Sequence, residues 1–250
     1  MDLTSNVTVV VPCFNEEDSL PSLLARLRAM RSGPARDWQF LFVDDGSTDD
    51  TFARLLCAAR DEAWVSVLRH PENSGVGAAL RTAFAHVTSP IVCTIDSDCT
   101  YPPERLPELT ALIEQGADIA TAAAGQPPVS ASAEADGSQL RWLLNRRLSG
   151  VYTQLTGRDV HGFTCLFRAY RRTVLERITF RSDGVSAVAE LVLKAMIAGY
   201  TVREVVIPPE QSHRADSRPT VSDALLVHAH LLTLTTLAAG ARPARQALWR

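Results

Sequence analysis

Four short apolar runs, each followed by a helical repeat, constrain this chain more than any other feature. Val7 to Val11 is β-branched throughout and closes at Pro12, the pattern of a strand buried on both faces. Leu20, Leu23, Leu24 and Leu27 follow at helical spacing. Asn15 is the predicted cap of that helix, with Glu16, Glu17 and Asp18 in its first turn, where the helix dipole favours negative charge. Gln39 to Val43 is the second run and ends in Asp44-Asp45-Gly46-Ser47-Thr48-Asp49. There Gly46 permits a tight turn, and Ser47 or Thr48 is placed to cap a helix carrying Phe52, Leu55, Leu56 and Ala59. Val65 to Leu68 and Ile91 to Ile95 are the third and fourth runs. Between them Asn73-Ser74-Gly75-Val76-Gly77 opens a helix through Ala79, Leu80 and Ala83 that also carries Arg81. This alternation predicts an α/β fold, a mostly parallel central sheet flanked by helices, with right-handed crossovers.

In open sheets of this kind ligands gather at the carboxyl ends of the strands, and the loops there carry acidic or glycine-rich chemistry. The fourth run stops abruptly in Asp96-Ser97-Asp98, and Pro102-Pro103 forbid a simple continuation as strand. Two carboxylates delivered at a strand tip form a perch for a divalent cation. Mg2+ and Mn2+ prefer such oxygen ligands and usually share them with substrate phosphates. Asp and Ser are also ordinary turn formers, so the D-x-D tripeptide gains meaning only from its surroundings.

Further along, Pro103 to Gln115 predicts a helix and Asp118 to Thr121 a short strand. Ala122 to Gly137 shifts to Ala, Gly, Pro and Ser and reads as a loop or lid beside the site. Gln139 to Leu155 returns to helix with Arg141, Arg146 and Arg147, and Thr164 to Tyr170 predicts a strand with Arg168, Arg171 and Arg172 nearby. Val185 to Ala198 is a predicted helix and Val202 to Ile207 a strand stopped by Pro208-Pro209. Ala224 to Ala241 is apolar, but His228, His230 and three threonines interrupt it, so a helix packed on the domain, a partner or a bilayer surface is expected rather than a membrane span. Arg242, Arg245 and Arg250 behind it are able to meet anionic phosphates.

With 250 residues the chain can form one sizeable domain with a small appendage, here divided as 1–221, with halves of about 1–120 and 121–221, and a helix with a basic tail over 222–250. A net charge of -3 excludes a generally basic nucleic-acid binder. The five cysteines are scattered without a C-x-x-C pair, which suggests neither a disulfide framework nor a zinc site but small buried hydrophobes in a reducing compartment. No leader-like run follows MDLTSN, so the expected location is cytoplasmic, with peripheral contact at the inner membrane face.

The phrases VVVPCFNEE, FVDDGSTDDT, ENSGVGAALRTA and IDSDCTYPPERL, in this order and spacing, resemble the family-two glycosyltransferases of GT-A fold. Within them the likeness is to polyprenyl-phosphate (dolichyl-phosphate) mannosyltransferases and glucosyltransferases, over about Val7 to Pro209. The resemblance implies a Rossmann-like nucleotide-diphospho-sugar transferase using Mg2+ or Mn2+, a GDP- or UDP-hexose donor, a polyprenyl phosphate acceptor and an inverting single displacement. It implies that Pro12, Asn15 and Glu16 shape the first nucleotide loop, and that Asp44 and Asp45 meet the base or ribose. Gly75 would let the backbone approach the nucleotide, and Arg81 would steady the base side or brace the carboxylates. Asp96 would face ribose or metal, Asp98 would bind the metal, and Ser97 lies between them among the nucleotide contacts. Arg141 resembles the Arg-x-x-x-Ser element that handles the acceptor phosphate, and Arg168 lies in TCLFRAYRR, which has a counterpart in bacterial relatives.

The chemistry is consistent with that likeness. A nucleoside diphosphate departs once its charge is neutralised, as a divalent ion does. A phosphate monoester acceptor is already anionic and needs positioning cations rather than a base. The chain departs from the pattern on the acceptor side: AAAGQPP replaces a family arginine, and HRADSRPT, with His213, Arg214, Ser217 and Arg218, stands for a late R-x-x-G-x-S-K element. A soluble hydroxyl or amine acceptor is therefore the alternative, with Asp183 or Glu190 as the base it would require. A non-catalytic nucleotide-binding scaffold is a third reading, opposed by the retention of Asp96 and Asp98.

Overall fold

A computed structural model describes residues 6–33, 35–123, 160 and 162–210. The elements in chain order are β1 (Val7–Cys13), α1 (Leu20–Arg31), β2 (Gln39–Asp44), α2 (Thr51–Asp61), β3 (Val65–Arg69), α3 (Val76–His86) and β4 (Ile91–Thr94). A 3₁₀ turn (Pro103–Arg105) leads into α4 (Leu106–Glu114), followed by β5 (Ile119–Ala123), β6 (Arg168–Arg171), α5 (Arg172–Arg177), α6 (Ser186–Ile197) and β7 (Val202–Val206). The strands form one seven-stranded sheet in the order β3-β2-β1-β4-β6-β5-β7. All neighbours are parallel except β6, which runs antiparallel to both β4 and β5.

The period of two along each strand feeds two cores, one on each face of the sheet. Val9, Val11, Phe40 and Phe42 point to the face covered by Leu20, Leu23 and Leu27 of α1, Leu55 of α2 and Leu109 of α4. Val10, Leu41, Val43 and Val92 point to the other, where Leu80 of α3 and Leu191 of α6 pack. Burial on both faces is why these strands read as unbroken apolar runs.

Strand β1 continues through Pro12 instead of ending before it. The carbonyls of Asn6 and Val10 turn to β4, so the missing N–H of Pro12 falls on that side, beyond Thr94, where β4 has stopped pairing. The proline interrupts no ladder bond there. Helix α1 begins at Leu20, not at Glu16. The Glu16 carbonyl accepts from the N–H groups of Ser19 and Leu20, and Ser19 is the cap position without a side-chain cap bond. The acidic trio thus precedes the helix, and Asn15, at φ 54°, is used elsewhere. Asp50 occupies the cap position of α2, so neither Ser47 nor Thr48 caps it. Strand β5 extends through Ala123, taking in residues read as loop, and β6 keeps only the last part of the run from Thr164.

The predicted helix Gln139 to Leu155 with Arg141, Arg146 and Arg147, most of the Ala122 to Gly137 segment, the HRADSRPT element, Ala224 to Ala241 and the boundary at 221 lie outside the described residues. Among the described residues no helix is long and apolar enough to cross a membrane. Cys13, Cys93 and Cys99 are buried as expected, whereas Cys57 on α2 is exposed and Cys165 intermediate.

Candidate active site

The carboxyl ends of β1, β2 and β4 and the amino end of α3 meet along one edge. The loop after β1 is laced to the loop after β2. Asn15 N–H donates to Ser47 Oγ at 2.9 Å, Thr48 N–H donates to Asn15 Oδ1 at 2.9 Å, and Glu16 N–H donates to Thr51 Oγ1 at 2.7 Å. The left-handed backbone at Asn15 turns its side chain into this crosslink, a conformation asparagine tolerates better than most residues. Glu16 is buried, and its charge joins those of Asp44 and Asp49 in raising the thiol of Cys13, after burial itself.

The two aspartates ending β2 meet two consecutive bases at the end of β3. Asp44 pairs in register with Arg69, whose Nε lies 3.1 Å from Asp44 Oδ2, and Ser47 N–H donates to Asp44 Oδ1 at 3.2 Å. The fully buried Oδ2 has no aligned hydrogen bond, so this contact is an ion pair only. Arg69 also stacks 4.2 Å over the ring of Phe52. Asp45 Oδ1 takes His70 Nδ1 at 2.6 Å and Ser74 N–H at 3.0 Å, and its Oδ2 takes Gly75 N–H at 2.7 Å. Gly75 has φ 91°, and a Cβ there would overlap the carbonyl oxygen of Asp183. The close backbone approach at this glycine is thus made by the loop before α6.

After β4, Asp96 and Asp98 are half-buried and Ser97 is buried between them. Asp98 bends back on its own loop: Thr100 N–H donates to Oδ1 at 2.9 Å and Thr100 Oγ1 to Oδ2 at 2.8 Å, around Cys99 at φ 57°. The loop is held from outside by Arg26 of α1, which bridges Glu104 at 2.6 Å and Glu210 at 2.8 Å, while Glu210 N–H donates to Thr100 O at 2.8 Å. Burial, then the charges of Asp98 and Glu16, push the carboxyl of Asp96 up to about 7. The acids of the loops that follow β1 and β4 thus act on one another. Among the described residues no group of three or more His, Cys, Asp or Glu side chains is placed to hold a metal ion, so the candidate ligands are the pair Asp96 and Asp98 alone.

This interaction of the acids has a pH signature. An acid raised in the folded state keeps a proton that the unfolded chain, at about 3.9, has already released. Its effect is nil below about pH 4 and destabilising as pH rises toward about 7, the folded value. In chelator, Asp96→Asn should melt progressively higher than the unaltered chain across that interval, with the gap constant above it. Calorimetry from pH 4 to 8 measures the gap, and a gap independent of pH would contradict the crowding of these acids.

Arg81 braces the loop before α6: Nη1 donates to Ser182 O at 2.8 Å, Nη2 pairs with Asp183, and the guanidinium lies 5.5 Å from the centre of the Phe180 ring. The Asp183 side chain is otherwise exposed, at 65%. Glu190 faces inward. It is buried and takes Lys194 Nζ at 2.7 Å, Ser182 Oγ at 2.7 Å and Ser182 N–H at 3.0 Å. Burial raises its carboxyl, but those bonds outweigh burial and leave it below the ordinary range. The structure thus brings Gly75, Arg81 and Asp183 together and sets Glu190 behind them as a tether. Arg141 lies outside the described residues. Arg168, on β6, is fully buried among carbonyl groups and reaches no cleft.

The residues not anticipated from the sequence are Arg26, Arg69, His70, Thr100 and Glu210. Only the Arg69-His70 pair had a local signal, a basic couple ending one strand as the acidic couple ends its neighbour.

A mostly parallel sheet with one antiparallel insertion, its carboxyl edge gathering paired carboxylates beside a glycine-opened helix, defines the GT-A class of glycosyltransferase folds. The chain matches the Glycosyl transferase family 2 model over residues 8–179 and belongs to that family. It is 33% identical over 172 residues to an undecaprenyl-phosphate 4-deoxy-4-formamido-L-arabinose transferase of Klebsiella pneumoniae, covering 68% of this chain and 50% of that protein. The Photorhabdus laumondii protein of the same name is 32% identical over 171 residues, with coverage of 68% and 50%. The chain thus spans about half the length of the curated relatives it matches. Among solved structures, glucosyl-3-phosphoglycerate synthase of Mycobacterium tuberculosis in complex with UDP superposes with a TM-score of 0.70 at 19% identity, over 96% of this chain and 82% of that one. The same enzyme with Mn2+, UDP and glucosyl-3-phosphoglycerate gives 0.69 at 19% identity, over 96% and 82%.

Proposed function

We propose that this chain is an inverting, metal-dependent glycosyltransferase that moves a hexose, mannose or glucose, from a GDP- or UDP-sugar to a polyprenyl phosphate at the cytoplasmic membrane face. The observation that carries the reading is the placement of Asp96 and Asp98 in the loop that follows β4, on the sheet edge where Asp44 ends β2. The donor set suits Mg2+ or Mn2+, since such ions are commonly held by one or two carboxylates with the remaining positions left to substrate phosphates and water. Asp96 and Asp98 would hold the ion, and when bound it supplies charge neutralisation to the departing diphosphate. The relation to glucosyl-3-phosphoglycerate synthase, solved with Mn2+ and UDP, supports the same cofactor class.

The chain's own residues supply positioning. Asp44, fully buried, holds the half-exposed Arg69 at the edge where the base or ribose would lie. Asp45 fixes the Ser74 and Gly75 amides that open α3. Thr100 holds Asp98 in one rotamer. A phosphate acceptor attacks without a base, which agrees with the inward engagement of Glu190. The undecaprenyl-phosphate transferases it resembles support the lipid acceptor. Arg141 and the apolar segment 224–241 with its basic tail are the proposed contacts for acceptor phosphate and membrane surface.

One feature favours the soluble hydroxyl acceptor as a second reading. Asp183 packs its backbone against Gly75 and carries an exposed carboxylate paired with Arg81, which makes it the candidate base beside the donor loop. Two measurements separate the readings. Calorimetric titration with UDP and GDP should give binding that strengthens with Mn2+, and no binding of either would favour a scaffold. Radiolabelled donors carrying mannose, glucose or 4-deoxy-4-formamido-L-arabinose, offered with lipid and soluble acceptors, should place label in the organic extract. Label retained in water and lost in Asp183→Asn would select the second reading.

A further inference from the structure

We infer that His70 is a positioning residue of the donor site, acting through Asp45 on the loop that opens α3. The inference rests on the nucleotide-sugar reading of this edge. His70 follows β3 directly, and its ring is held at both nitrogens, Nδ1 by Asp45 Oδ1 at 2.6 Å and Nε2 by Thr82 Oγ1 of α3 at 2.8 Å. A carboxylate only accepts, so the Nδ1 proton belongs to His70, and the Thr82 hydroxyl, able to donate or accept, meets Nε2. The backbone locks the same place, with His70 N–H donating to Asp44 O at 2.8 Å. Asp45 therefore has one oxygen shared between His70 and Ser74 N–H and the other bound to Gly75 N–H.

The consequence is a rigid bracket. Asp45 sits at the end of β2, His70 at the end of β3 and Thr82 one helical stretch inside α3, so a single imidazole ties two strand tips to the helix whose first residues follow Gly75. Without the ring, Asp45 is free to leave the rotamer that presents it to Ser74 and Gly75. The loop then loses its preorganisation, and ordering it opposes nucleotide binding. His70 itself need not touch the donor.

The test compares His70→Ala, His70→Asn and His70→Gln. Asparagine places an N–H donor where Nδ1 stands, so it restores the bond to Asp45 but not the one to Thr82. UDP titrated in the presence of Mn2+ should bind His70→Ala about tenfold or more weakly, as expected for loss of a hydrogen bond to a charged group, with His70→Asn near the unaltered chain. In turnover, the loss should fall on the donor KM and leave kcat nearly unchanged. Amide exchange at Ser74 and Gly75 should quicken in His70→Ala and not in His70→Asn, whether or not nucleotide is added. Should the alanine variant fail to fold, His70→Gln, whose longer amide reaches the place of Nε2 and so keeps Thr82 but not Asp45, should still quicken those amides. Unchanged amide exchange, or UDP affinity in His70→Ala equal to that of the unaltered chain, overturns the inference. If the unaltered chain binds no nucleotide while the amides respond, the bracket stands and the donor-site reading falls instead.

Discussion

Asp98→Ala is expected to lower sugar transfer at least about a thousandfold while leaving the fold intact, the scale at which loss of a metal's stabilisation of a leaving diphosphate is felt. The fold should survive because the bonds described for the Asp98 carboxylate are local, running to the N–H and hydroxyl of Thr100. A carboxylate oxygen that accepts a hydrogen bond can also ligate a cation, so the two contacts that fix the rotamer are compatible with a metal at Asp98. Asp98→Asn sharpens the result, since an amide oxygen can still accept from Thr100 but carries no charge. It should be nearly as inactive as the alanine variant. Turnover of radiolabelled donor with far-ultraviolet circular dichroism as the control for folding measures this, and an asparagine variant with wild-type turnover would falsify the proposed metal role.

Arg168→Ala should destabilise the chain by about 3–5 kcal/mol, the usual result of removing one side of a buried charged network. The guanidinium is fully buried on β6. Nε donates to Thr121 Oγ1 at 3.0 Å, Nη1 to Val188 O at 2.8 Å, and Nη2 to Phe163 O at 2.6 Å and to Gly162 O. It therefore joins β5, the start of α6 and the chain entering β6, and its removal strands several buried acceptors at once. Since domains are stable by only about 5–15 kcal/mol, the melting temperature should fall by about 10 °C. Arg168→Met, which fills the volume without donors, should recover little. Thermal unfolding followed by calorimetry measures both, and a drop of under about 2 °C would mean the carbonyls find other partners.

These two residues differ in how visible they are in the amino-acid sequence. Asp98 could be singled out because an apolar run ending in D-x-D and followed by two prolines is a local pattern, complete within a few residues. Arg168 lay in a recognisable phrase, yet its burial depends on β6 entering the sheet antiparallel between β4 and β5, a pairing between segments far apart in the chain. Glu190 illustrates the same limit. As a carboxylate on a predicted helix it was a reasonable base, and only Lys194, one turn further along, and the Ser182 loop turn it inward. Asn15 was read as a helix cap because it precedes an acidic turn, but a neighbouring loop offered Thr48 and Ser47 as partners that no sequence window contains.

The amino-acid order alone determined the alternation of strand and helix, the family likeness and the edge at which acidic loops gather, because these follow from side-chain periodicity and from the rule that parallel strands present equivalent ends on one side. Tertiary structure alone decided which of those acids are free to act. It set Asp44 and Asp45 against Arg69 and His70, braced the Asp98 loop with Arg26 and Glu210 and drew Asp183 to Arg81. The physical reason is that a carboxylate's role is set by the donors and charges within a few ångströms of it. In this chain most of those come from segments tens of residues away.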